Sequence, residues 1–175
     1  NNRIVIFLVF SVLLGSLLQI TNIWGVPFLD NFGITHPDSF VVKYSVILMS
    51  LSQISETVFI LTIPFFYKRF GIKKVFLISI VAWILRFGFF AIGVPEGFGL
   101  GFLILSMIIY GLAFDFFNIS GSLFMEQESS SGMRSSAQGL FVMATNGFGP
   151  IIGGFGSGLI VDALTTNGYV QWILI

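Results

Sequence analysis

The sequence predicts an all-α membrane protein. Two observations carry the fold class: a mean hydropathy of +0.98, and a composition with 55% hydrophobic and only 9% charged residues, against about 25% charged in soluble domains. A third concerns chemistry. Glu56 and Asp115 lie in the middle of apolar runs long enough to cross a bilayer, where an unpaired carboxylate is costly and by default marks a substrate or proton pathway.

Five complete spans are expected, near residues 4–29, 40–67, 74–93, 98–125 and 134–162, some long enough to tilt. Polar, turn-rich segments separate them: Asp30–Ser39, Lys68–Lys73, Gly93–Gly97, Glu126–Gly132 and Asp162–Gln171. The run Trp172-Ile173-Leu174-Ile175 reads as the beginning of a sixth span that the chain does not complete, so the sequence is expected to be a fragment. Residues 4–18 have the apolar character of a signal peptide, but the run continues past Gln19 without a small-residue cleavage site.

Charge placement orients the spans. If they alternate, Arg3, Lys68, Arg69, Lys73, Lys74 and Arg134 fall on one side, and Asp30, Asp38, Glu96 and Asp162 on the other. The basic side is cytoplasmic by the positive-inside rule, with Lys43 the exception. The turn Lys68–Lys74 is read first as this topology signal. A second reading has Gly71 and Lys/Arg contacts to terminal carbonyls holding two helix ends together.

The remaining composition excludes several classes. Eight basic and eight acidic residues cancel, so charge gives no reason to expect nucleic acid as a partner. Without Cys there is no thiol catalysis and no Cys-based metal site. The single histidine, His36, sits beside Pro37 in a polar loop and is read as solvated. No cofactor or metal is expected.

Polar residues inside the spans carry the functional signal. Gln19 and Asn22 in the first span, and Gln53 and Glu56 in the second, are each three apart and so share a helical face. In the fourth span Tyr110, Phe114 and Asn118 form an i, i+4, i+8 stripe, with Asp115 one position round. At about 1.5 Å per residue, Gln19, Glu56 and Tyr110 through Asp115 come out near the bilayer centre, where they can line one cavity. Taken singly, the amides serve equally well as helix–helix hydrogen-bonding groups of ~1 kcal/mol or less, and the two aromatic rings as packing in a chain with 22 Phe. The carboxylates favour function. Arg86, in the third span, either pairs with a carboxylate or snorkels outward toward Glu96, the second being preferred. Arg134 is read as an anchor or helix-end contact. The glycines of the fifth span, Gly139, Gly147, Gly149, Gly153, Gly154, Gly156 and Gly158, with Pro150 among them, suit either a moving helix or static close packing.

Several blocks in a fixed order resemble one family. Leu18-Gln19-Ile20-Thr21-Asn22, Ser52-Gln53-Ile54-Ser55-Glu56-Thr57, Tyr110 through Asp115 and on to Gly121, Ser136-Ala137-Gln138-Gly139 and Thr145-Asn146-Gly147-Phe148-Gly149 are similar to the bacterial nucleoside:proton symporters, a branch of the major facilitator superfamily. The superfamily's basic-glycine loop pattern is matched by Arg69, Gly71 and Lys73, but Lys68 stands where an Asp is usual.

The resemblance implies a major-facilitator-type bundle: the C-terminal six-helix half of a twelve-helix carrier, truncated in its last helix, with the N-terminal half missing. It implies proton-coupled nucleoside uptake across the inner membrane, with nucleoside, protons and lipid as partners. Gln19, Asn22, Gln53 and Glu56 would then be polar contacts to a nucleoside, Tyr110 and Phe114 would flank it, and Asp115 is a candidate for proton coupling or for holding a conformational state. A carrier of another polar solute such as a sugar is the alternative, since the aromatic pair suits a pyranose as well. A membrane-embedded enzyme is disfavoured by the lone loop histidine and the absence of Cys.

Overall fold

In lipid every backbone polar group must be satisfied within the protein, so apolar segments of this length become helices. The computed structural model describes residues 2–166 and 169–170, and they are almost entirely helical. In order come α1 (Asn2–Asn31), a 3-10 turn at Phe32–Ile34, the short α2 (Phe40–Lys43), α3 (Ser45–Ile92), α4 (Gly97–Glu128), a 3-10 turn at Ser131–Met133, α5 (Arg134–Met143), a π turn at Ala144–Phe148 and α6 (Gly149–Ala163). Two residue pairs, Thr165–Thr166 and Tyr169–Val170, make a minimal antiparallel ladder. Three helices, α1 with its following turn, α3 and α4, are long and apolar enough to cross a membrane. Large apolar side chains such as Leu61 (78% exposed) and Phe155 (76% exposed) point outward, a surface that suits acyl chains rather than water. The expected sixth span, Trp172–Ile175, lies outside the described residues.

The chain forms two compact units, one from Asn1–Phe28 with Met125–Ile175 and one from Leu29–Phe124. In the second, α3 turns back on itself at Gly71 (φ 72°, ψ 165°), backbone that is open essentially to glycine alone. The contacts along α4 record the reversal. Ser55 meets Ile108 and Tyr67 meets Ser120 on the way out, and Phe76 meets Phe117 and Trp83 meets Tyr110 on the way back. Near the turn, Ile63 and Val75 close on Phe116, with Phe66, Tyr67, Ile78, Leu112 and Ile119 around them. Lys68, Arg69, Lys73 and Lys74 are exposed, so glycine makes this turn and the basic residues only flank it.

In the first unit the helix run 134–163 packs on α1 through small residues. Ser16 donates its hydroxyl to the Gly149 carbonyl at 2.9 Å. The Trp24 indole N–H donates to Ser157 Oγ at 2.9 Å, and Phe7 stacks on Phe141. A Cβ on Gly153 would lie 2.3 Å from the Ser16 carbonyl oxygen, and one on Gly149 would lie 2.8 Å from Gly15 Cα. Gly139, Gly147, Gly156 and Gly158, by contrast, have nothing among the described residues within 4 Å of such an atom. Close packing therefore accounts for Gly149 and Gly153 and leaves those four unexplained. Arg134 pairs with Glu126 at 3.6 Å, and Arg3 with Glu128 at 3.7 Å, consistent with its reading as a helix-end contact.

Gly153→Ala forces a methyl group onto backbone and is expected to destabilise the full-length protein by roughly 1–3 kcal/mol. Gly139→Ala has room and gains helix propensity, up to about 1 kcal/mol. Thermal unfolding in detergent measures both; equal melting temperatures for the two variants would refute the packing account.

Candidate functional site

The residues with chemistry in the second unit gather where the outgoing arm of α3 crosses α4. Small residues make the crossing close. A Cβ on Gly111 would lie 2.5 Å from the backbone nitrogen of Glu56, so no other residue fits without parting the helices. Ser55 ties the two together: its hydroxyl donates to the Ile108 carbonyl and accepts from the Gly111 N–H at 3.3 Å. One turn earlier, Ser52 reaches the Met107 sulfur at 3.5 Å. This backbone contact sets Glu56 beside α4.

Around that crossing the side chains differ in access. Glu56 and Phe114 are half-buried, Gln53 is exposed, and Asp115 is buried. Among the described residues, Oδ2 of Asp115 has no hydrogen-bond partner. Glu56 and Asp115 lie within electrostatic reach of each other, and both act on the Tyr110 hydroxyl, as does Arg86. Tyr110 and Phe114 stack at 5.5 Å between centroids with 14° between planes. Asn118 donates its amide to the Phe114 carbonyl at 2.9 Å, which commits part of that side chain to its own helix.

Arg86 does not snorkel. It is 1% exposed, with its guanidinium 4.2 Å from the Tyr110 ring centroid and 5.5 Å from that of Phe90. Nη1 donates to the Ser106 carbonyl at 3.4 Å, and Ser106 Oγ donates back to the Arg86 carbonyl at 2.8 Å. No carboxylate among the described residues is within ion-pair distance of it. Burying a charge unpaired costs several kcal/mol. A desolvated cation–π contact returns about 2 kcal/mol, and a hydrogen bond to a charged group about 1.5–3 kcal/mol, so the arginine is held chiefly by Tyr110 and Ser106. The preference for an outward-reaching side chain failed because the aromatic partner one helix away is not legible from the spacing within the third span.

In the first unit, Gln19 is half-buried and Asn22 exposed on α1, with Gln19 packed beside Gly154. The residues that sequence reasoning missed are Ser55 and Gly111 as crossing residues, and Trp83 and Arg86 as partners of Tyr110. Ser52, Ser55 and Gly111 carried a signal, since small residues in apolar spans mark close helix contacts.

Comparison with known proteins decides the family. The sequence pattern described as Nucleoside H+ symporter matches residues 1–175. The chain belongs to that family. It is 59% identical over 174 residues to the nucleoside permease NupG of Escherichia coli and 57% identical over 175 residues to the xanthosine permease of the same organism. Each alignment covers 98% of this chain and 42% of the relative, so the chain spans less than half the length of the permeases it matches. The crystal structure of the nucleoside transporter NupG superposes with a TM-score of 0.94 at 58% identity, over 99% of this chain and 44% of that one. As a Nucleoside H+ symporter family member with such apolar helices, the chain is a multi-pass membrane protein.

In this Nucleoside H+ symporter family member the unpartnered Asp115 oxygen is a stability cost of about 1–3 kcal/mol. Asp115→Ala, which removes that unpaired group, is therefore expected to raise the melting temperature of the purified full-length protein. A melting temperature lower than wild type would show that Asp115 is a structural group instead.

Proposed function

We propose that the chain is part of a proton-coupled nucleoside symporter of the bacterial inner membrane, a secondary active transporter rather than an enzyme, which works by alternating access around a midplane site. On this reading it is the C-terminal six-helix bundle of a twelve-helix carrier, with five of its crossing helices near 4–29, 40–67, 74–93, 98–125 and 134–162. Arg3, Lys68–Lys74 and Arg134 face the cytoplasm. The other six helices supply the opposite wall of the cavity.

The observation that carries the proposal is the α3–α4 crossing, where a half-buried carboxylate, Glu56, adjoins the Gly111 contact next to the stacked pair Tyr110 and Phe114. That combination fits a nucleoside in both its parts. A carboxylate accepts hydrogen bonds from both ribose hydroxyls, and amides such as Gln53, Gln19 and Asn22 serve the donor and acceptor edges of different bases. An aromatic face stacks on any base for about 1–3 kcal/mol. Tyr110 is only 7% exposed, so Phe114 takes the base and Tyr110 stands behind it. Asp115, buried and one position off that face, carries the coupling proton or biases the inward–outward equilibrium.

Two measurements on the full-length protein test these roles. Glu56→Gln keeps shape but removes charge-assisted hydrogen bonds of about 1.5–3 kcal/mol each, so nucleoside affinity is expected to fall at least about tenfold while the protein still reaches the membrane. Affinity close to wild type would sink the ribose assignment. Asp115→Asn is expected to abolish proton-driven accumulation yet retain nucleoside binding. Uptake against a gradient at the wild-type rate would move the coupling role elsewhere.

A further inference from the structure

We propose that Arg86 is a positioning residue of this nucleoside site: its guanidinium holds the plane of Tyr110 and, through it, the Phe114 ring on which the base stacks. The proposal rests on the nucleoside reading above. Arg86 is among the largest fully buried side chains, yet it carries the least suitable head group for that environment. A methionine would fill similar space with no charge to desolvate, so packing alone does not explain an arginine here. What the guanidinium adds is planarity and charge, and both are directed at one ring, 4.2 Å away.

The geometry around that ring is over-determined. Arg86 lies over Tyr110, Trp83 meets it edge-on at 89°, and Phe114 stacks on it at 14°. Ser106, which accepts from Nη1 and donates to the Arg86 backbone, is one helical turn before Tyr110. Arginine therefore grips both the ring and the turn that carries it. Holding an aromatic wall in its bound orientation before ligand arrives removes an ordering cost from binding. The Nε–H and the Trp83 indole N–H have no partners among the described residues, polar groups that a purely structural core would pair or omit.

The test is a double-mutant cycle in the full-length protein, read as equilibrium binding of uridine and of adenosine by the folded fraction in detergent. Arg86→Met is expected to weaken both nucleosides about tenfold, because a wall that must be ordered on binding is indifferent to the base. Arg86→Lys, which restores charge without a flat stacking surface, is expected to fall between Met and wild type. In a Tyr110→Leu background neither Arg86 substitution should weaken binding further, since residues that act through one another are not additive. A merely structural arginine would lower the melting temperature without this non-additivity. Affinities within about twofold of wild type for the Arg86 variants, or losses that multiply in the Tyr110→Leu background, would overturn the proposal. Should Arg86→Met fail to accumulate, Arg86→Lys decides by the same two criteria. Absence of nucleoside binding by the wild-type protein would instead overturn the nucleoside reading, and this inference with it.

Discussion

The backbone contact between α3 and α4 at Gly111 is the constraint on which the rest of the second unit depends. With hydrogen as its side chain, Gly111 lets the carbonyl and amide groups of Ser55 and Glu56 come directly against α4, and Ser55 converts that proximity into paired hydrogen bonds. In lipid there is no hydrophobic force between helices, so close van der Waals contact and a few polar ties must do the work. Once the outgoing arm is seated, the turn at Gly71 delivers the returning arm to the same helix, and α4 becomes the most enclosed of the three apolar helices. The positions of Glu56, Tyr110, Phe114 and Asp115 along the crossing follow from that enclosure.

The polar groups of the two units obey different economies. In the first, Ser16, Trp24 and Thr145 all hydrogen-bond within the unit, as expected of groups whose task is to hold helices together. In the second, Trp83, Arg86 and Asp115 each keep a buried atom without a partner among the described residues, and the first two of these residues touch Tyr110 directly. Unsatisfied buried atoms are rare in native proteins and call for a reason. Their concentration around one aromatic ring, within reach of two carboxylates, sets the second unit apart from the first.

The sequence made the membrane class and the helical character of the chain plain, because hydropathy is a local property that lipid enforces. It also isolated Glu56 and Asp115, since a carboxylate in an apolar run is conspicuous without any partner in view. Arg86 shows the limit: whether a long cationic side chain turns outward or inward depends on what the neighbouring helix presents, and Tyr110 lies 24 positions away with no periodicity linking them. The helix boundaries near Tyr44 and the π turn at Ala144–Phe148 were likewise not legible. For the glycines of the fifth span, identity alone did not distinguish the positions that touch α1 from those that face open space; only the packing does.

The reversal at Gly71 also sets what the two arms of α3 share. A hairpin closed by a single glycine leaves almost no chain between its arms, so neither can be placed without the other. Four cations sit at its tip, Lys68, Arg69, Lys73 and Lys74, all of them exposed, and dragging them through hydrocarbon is prohibitive. The tip is thus the end of the hairpin least able to enter lipid. Whichever side that tip faces, the returning arm, and Arg86 with it, is oriented by the same four charges.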